Sequence, residues 1–169
     1  MMILSLEPLT KQAFAPFGDV IEADGSDWFP INQGSTRRYH RLGLIDVAGD
    51  GGLPGISMAR GDAHHLPLEI RMLERHPLGS QAFIPCNGVP CVVVVAPACV
   101  GDRPDESRIR AFLARGDQGV NYHRGTWHHP LTCLERAGDF ILLDRIGAGD
   151  NCDEAMLSQS YLIQSVSAD

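Results

Sequence analysis

Most groups in this chain that could move a proton or hold a metal lie in two short segments, residues 74–81 and 122–130. The first carries Glu74, His76 and Gln81; the second carries His123, His128 and His129. Four of the seven histidines are in these segments. An imidazole titrates close to neutrality, so it can serve as acid or base. A carboxylate beside imidazoles can equally bind a divalent metal. On extended backbone, side chains two residues apart share a face. Glu74 and His76 therefore point the same way, and of the neighbours His128 and His129 only one can enter a core. Gln81 adds a neutral amide, a good hydrogen-bond partner and a weak ligand. Trp127 is apolar and favours burial next to His128.

A third group spans residues 32–40. There Arg38 could grip a carboxylate through two parallel hydrogen bonds and Tyr39 could donate one. A solvated loop with surface arginines is the open alternative. His64 and His65 sit in a proline-rich stretch and are assigned no role.

Elements that could position these groups read mainly as short strands. Residues 92–95 are four consecutive valines, suited to a strand buried on both faces. Residues 56–60, 66–73, 109–113 and 140–143 are further candidates, and residues 161–163 could add a last strand. Glycine-containing turns separate them, and the high Gly and Pro counts, 18 and 11, agree with many turns. One helix is predicted after Thr10, which caps it, and it stops before Pro16 and Gly18. Short strands with frequent turns point to a sandwich or barrel.

The 169 residues, 44% hydrophobic and 21% charged, suit one domain over 1–169. A net charge of −7 without a basic block argues against nucleic acid and anionic membranes as partners. The first residues lack the positive and apolar regions of a secretory signal, and the longest apolar run is too short to span a bilayer. Five cysteines without a Cys-x-x-Cys read as reduced, buried thiols of a cytoplasmic protein.

Glu74-x-His76-x4-Gln81 resembles a degenerate first motif of the cupin superfamily, and the segment from Gly119 to His128 resembles its second motif. More specifically, residues 73–85 and 118–131 are similar to the ureidoglycolate lyase family. Arg38-Tyr39-His40, Asp144-Arg145 and Asp150-Asn151-Cys152-Asp153 extend the likeness across about residues 14–153. The resemblance implies a mainly β, cupin-type barrel (a double-stranded β-helix) with a few short helices, and a homodimer. It implies cleavage of (S)-ureidoglycolate to glyoxylate and urea, a step of allantoin and purine breakdown. It also implies a divalent metal, nickel among those described, with Glu74, His76, Gln81 and His128 as the matching ligand positions. The chain departs from the usual cupin pattern at two of these. Glu74 stands where a histidine is usual, and Gln81 where a glutamate is usual.

Carbon–nitrogen cleavage in such a substrate takes a proton from the hydroxyl and gives one to the leaving nitrogen. Candidate catalytic residues are Glu74, His76, His123 and His128, with His123 or a water as donor to the nitrogen. Candidate substrate contacts are Arg38, Tyr39, Gln81 and Trp127. Two alternatives stay open on sequence: a cupin that binds a small acid without turnover, and another metal-dependent cupin enzyme, an isomerase or oxygenase.

Overall fold

Two β-sheets packed face to face make up most of the computed structural model, which describes residues 1–99 and 101–164. The larger sheet has nine strands. Its main path runs Met2–Ile3, Asp153–Ile163, Leu68–Arg75, Trp127–His128, Cys91–Ala96, Arg110–Ala114, Leu6–Pro8. The smaller sheet has five, in the order Gly18–Ile21, Gly119–Tyr122, Gln81–Pro85, Gly138–Ile146, Leu53–Gly61. A separate hairpin pairs Trp28–Ile31 with Thr36–Tyr39.

The ends of the nine-stranded sheet are joined by the chain itself. Met2–Ile3 adds to one edge and Leu6–Pro8 to the other, both in parallel. Ile3 and Leu6 are three residues apart, so they can be separated by at most about 11 Å. The sheet must therefore curl until its two edges nearly meet. Inside the curl lies an apolar core drawn from this sheet alone, including Ile70, Leu73, Val92, Val94, Trp127, Tyr161 and Ile163. A second core fills the space between the sheets. It combines Val93, Val95 and Phe112 from the large sheet with Val20, Val120, Tyr122 and Phe140 from the small one.

This double burial explains the valine run. All six residues of Cys91–Ala96 are buried, with Val92 and Val94 serving one core and Val93 and Val95 the other. Each such side chain contributes about 1.5–3 kcal/mol on leaving water. Thr10 caps the helix Lys11–Phe14 as expected: its hydroxyl accepts from the Ala13 N–H at 3.2 Å. The helix is only four residues long and serves to plug Phe14 into the inter-sheet core, edge-on to Phe112 at 5.7 Å.

Three expectations are corrected. The strand predicted over 66–73 runs Leu68–Arg75 and so includes Glu74. The last strand is far longer than residues 161–163: it occupies Asp153–Ile163 and pairs along Leu68–Arg75. The thiols are not uniformly buried, because Cys91 and Cys133 are inside while Cys86, Cys99 and Cys152 are exposed. Among the described residues no helix is long and apolar enough to cross a membrane. The mainly β, two-sheet architecture agrees with the cupin-type fold that the motifs suggested.

Candidate functional site

Trp127–His128 is a strand of two residues, yet it decides where the chemistry can sit. It pairs with Cys91–Ala96 on one side, Val95 facing His128 and Ala96 facing Trp127. Val95 belongs to the inter-sheet core and Ala96 to the curled-sheet core. Alternation therefore sends His128 between the sheets and Trp127 into the curl. On its other side His128 stands directly opposite Glu74. Directly opposed residues in an antiparallel pair share a face, so the carboxylate and the imidazole meet.

His128 Nε2 lies 3.6 Å from Glu74 Oε1. His76 is one residue past the end of Leu68–Arg75 and keeps the alternation begun by Glu74; its ring centroid is 5.2 Å from that of His128. Ligand-type atoms of Glu74, His76 and His128 all lie within 4.8 Å of one another. Gln81 enters from the small sheet. It stands opposite Tyr122, whose ring stacks on His128 at 4.0 Å with planes 10° apart, so Gln81 points toward the same side.

Both imidazoles are oriented by backbone. His76 Nδ1 donates to the Asn151 carbonyl at 2.6 Å, and His128 Nδ1 donates to the Thr126 carbonyl at 2.9 Å. A carbonyl can only accept, so each neutral ring carries its proton on Nδ1 and presents a lone pair at Nε2. Those two Nε2 atoms are buried without a hydrogen-bond partner in the protein, and so is Gln81 Oε1. A buried polar atom left without a partner costs about 1–3 kcal/mol. Three such acceptors beside one carboxylate are the mark of a site waiting for a proton donor or a cation.

Electrostatics agree. Were its Nε2 to carry a proton, His128 would hold Glu74 below the usual carboxylate range; burial opposes this, and a charged His76 would add to the lowering. Burial pushes the Tyr122 phenol up, reinforced by Cys91 and Glu74, so it stays protonated at neutral pH. Burial pushes His129 down and keeps it neutral; its Nδ1 faces the Thr132 hydroxyl at 3.0 Å.

The loop holding Asn151 is fastened from below. Arg145 is buried and its guanidinium donates to the carbonyls of Ala148, at 2.9 Å, and Asp50, at 3.2 Å. The Asn151 side chain accepts from the Leu78 N–H at 2.8 Å, which ties the loop to the turn after His76. Cys152 and Glu154 flank Glu74 on the exposed side, with ligand-type atoms within 4.8 Å.

The structure thus brings together Glu74, His76 and His128, with Gln81 facing them. It does not bring in four other predicted residues. His123 follows inward-facing Tyr122, points away from the cluster and sets Nε2 3.3 Å from Asp19 Oδ1, its side chain 49% exposed. Trp127 is 3% exposed in the other core, under the Arg75 guanidinium at 4.8 Å. Arg38 and Tyr39 belong to the separate hairpin. Tyr122 and Thr126 were missed by sequence reading, as was the part played by Asn151. Tyr122 was findable, because Val120 and Tyr122 alternate with Asn121. Thr126 and Asn151 act through backbone carbonyls and leave no side-chain signal.

Comparison with known proteins follows the same lines. A family model described as ureidoglycolate lyase matches residues 1–164. The chain is 55% identical over 163 residues to a ureidoglycolate lyase of Pseudomonas putida (strain W619), covering 96% of each chain. It is 56% identical over 159 residues to one of Stutzerimonas stutzeri (strain A1501), covering 94% of this chain and 92% of that one. It is 58% identical over 154 residues to one of Pseudomonas fluorescens, covering 91% of each.

Proposed function

The chain belongs to the ureidoglycolate lyase family, and from that premise we propose that it cleaves (S)-ureidoglycolate to glyoxylate and urea at the Glu74–His76–His128 cluster. The observation that carries the site is the set of buried, unpartnered acceptors, His76 Nε2, His128 Nε2 and Gln81 Oε1, around one ionised carboxylate.

In this elimination the hydroxyl proton leaves, its oxygen becomes the carbonyl of glyoxylate, and the electrons of the carbon–nitrogen bond go to urea nitrogen, which takes a proton. The proton removed balances the proton required. An Nε2 lone pair of the imidazole pair can accept the first, and the resulting imidazolium, stabilised by Glu74, can deliver the second. Positioned proton transfer of this kind is worth about 10²–10⁴-fold. The Nδ1–carbonyl bonds keep each ring in the tautomer that can act as a base. Tyr122 fixes the plane of the His128 ring and shields it from water.

The same four residues fit a divalent metal. Two imidazoles with their outer nitrogens already donating to carbonyls, one carboxylate and one amide oxygen form a coherent donor set. Glu74, His76, Gln81 and His128 would hold the ion, with nickel among the candidates by family likeness. When bound, it would act as a Lewis acid that makes the substrate hydroxyl easier to deprotonate. In this reading the protein works as a cytoplasmic, single-domain homodimer in purine breakdown, on a small acid rather than on nucleic acid or membrane.

Two assays test this. Purified protein given racemic ureidoglycolate should release glyoxylate and urea in equal amounts, from half of the racemate. Release of ammonia instead of urea, or no release, would overturn the reading. Exhaustive chelation tests the ion: lost turnover restored by a divalent metal supports it, and unchanged turnover by metal-free protein removes the ion from the essential machinery.

A further inference from the structure

The outward face of the five-stranded sheet is apolar across three adjacent strands. Met58, Ile141 and Ile84 stand in one row, and Ile56 and Leu143 in the next, where the third member, Ala82, is already buried. Ile56 is 78% exposed and Met58 67%, on the strand that forms the edge of this sheet. A contiguous apolar patch beside an open edge marks a contact surface.

The Trp28–Tyr39 hairpin stands on this side as well. Tyr39 at its end lines a shallow cavity of about 260 Å³ together with Ile84, Asn121 and Leu143. The hairpin hydrogen-bonds as a sheet only with itself, and Trp28 and Phe29 are exposed. It carries Arg37 and Arg38 and is followed at once by Arg41, three arginines in five residues of an acidic chain. Arg37 lies over Trp28 at 4.6 Å, while Arg38 has no ion-pair partner among the described residues.

The reaction site lies on the opposite face of the same sheet. Gln81 and Tyr122 face inward where Ala82 and Asn121 face outward, so a subunit's own sheet stands between its hairpin and its site. Cations nearer the site are already engaged. Arg75 is held by Asp102 and Asp153, Arg124 by Asp46, and Arg145 by backbone carbonyls. The exposed flank of the site adds Glu154 to Glu74, with Asp150 close in sequence. A substrate carboxylate there meets negative charge and no free guanidinium.

Building on the function proposed above, we propose that a second copy of this chain packs on the apolar outer face and that each hairpin reaches the partner's site, where Arg38 grips the substrate carboxylate. The basic hairpin and the acidic flank of the site are complementary in charge, and a two-fold pair would satisfy both sites at once. Each site is then incomplete in a lone subunit.

Mixed dimers decide it. Arg38→Ala and His128→Ala subunits, each nearly inactive alone, are co-refolded in equal amounts. If Arg38 acts across the interface, half the dimers are mixed and each has one intact site, so turnover returns to about one quarter of wild type. Turnover that stays at the level of the parents means Arg38 does not act in trans and overturns the proposal. A second readout needs no activity. In a chain carrying Cys86→Ser and Cys99→Ser, Arg38→Cys should cross-link to Cys152 of another copy with a short bis-maleimide, giving a covalent dimer that Cys152→Ser abolishes. Absence of that dimer, or its persistence without Cys152, also overturns it. Failure of wild type to cleave ureidoglycolate would sink the assigned reaction alone, and the cross-link would still report on the hairpin.

Discussion

Trp127 and His128 are neighbours on one two-residue strand, and they live in different chemical worlds. Trp127 enters a core made wholly by the curled sheet, where Ile70, Leu73 and Val94 surround it with apolar atoms. His128 enters the space between the sheets, where a ring nitrogen, a second imidazole and an amide oxygen are buried without partners beside a carboxylate. The first region spends its burial on stability, apart from one indole N–H, that of Trp127, buried without a partner. The second leaves polar groups desolvated and unpaired, a cost of about 1–3 kcal/mol for each group that only a ligand or reacting atom can relieve. The proposed site lies where several such groups converge beside a carboxylate, and both adjacent residues are needed to see the contrast.

The contrast can be broken or sharpened by substitution. The largest effect is expected at the cluster itself. His76→Ala should lower glyoxylate release by about 10²–10⁴-fold, because it removes one of the two oriented Nε2 acceptors. Circular dichroism should change little, and stability should fall by only about 0.5–1.5 kcal/mol, the worth of the lost Nδ1 bond to the Asn151 carbonyl. On the other face the pattern should invert. Trp127→Ala should cost about 3–5 kcal/mol of stability in denaturant titration, as expected for truncating a buried aromatic. Its turnover per folded molecule should stay within a few-fold of wild type. Equal loss of activity in both variants at matched folding would erase the distinction.

Smaller effects should follow at the supports of each region. Asn151→Ala removes the side-chain acceptor that anchors the loop to Leu78, worth about 0.5–1.5 kcal/mol. Because the same loop orients His76, turnover should drop several-fold, more than stability alone explains. The smallest effect concerns Asp102. Arg75, which covers Trp127, holds the Asp102 carboxyl below its ordinary value of 3.8. The folded form thus binds its proton less readily than the unfolded form. Its contribution is complete above pH 3.8 and is lost as pH falls through the depressed value. Asp102→Asn should flatten that part of the acid-stability curve and leave the neutral range unchanged.

What the sequence disclosed follows from how local each signal is. The Thr10 cap, the doubly buried valines and the shared direction of Glu74 and His76 all depend on residues a few positions apart. Alternation allowed only one of His128 and His129 inside, and the resemblance to the second motif pointed to His128. Pairing between remote strands was not legible in this way. That His128 faces Glu74 rather than a neighbour is fixed by the register of Trp127–His128 against Leu68–Arg75, which local pattern does not encode. Trp127 was grouped with the site because it adjoins His128, and alternation, applied one residue further, would have removed it. Arg38 and His123 were grouped with it by chemistry alone. Their positions depend on which face of the small sheet the hairpin and the residue after Tyr122 occupy. Backbone carbonyls of Thr126 and Asn151 orient the two imidazoles, and any residue type supplies a carbonyl, so no composition could reveal them.

The most direct measurement compares His128→Ala with Trp127→Phe for urea and glyoxylate release under identical conditions, with folding checked by circular dichroism. The expected result is a loss of at least about a hundredfold for His128→Ala and near-wild-type turnover for Trp127→Phe. A folded His128→Ala protein that retains more than a tenth of wild-type turnover would contradict the assignment of the reaction to the space between the sheets.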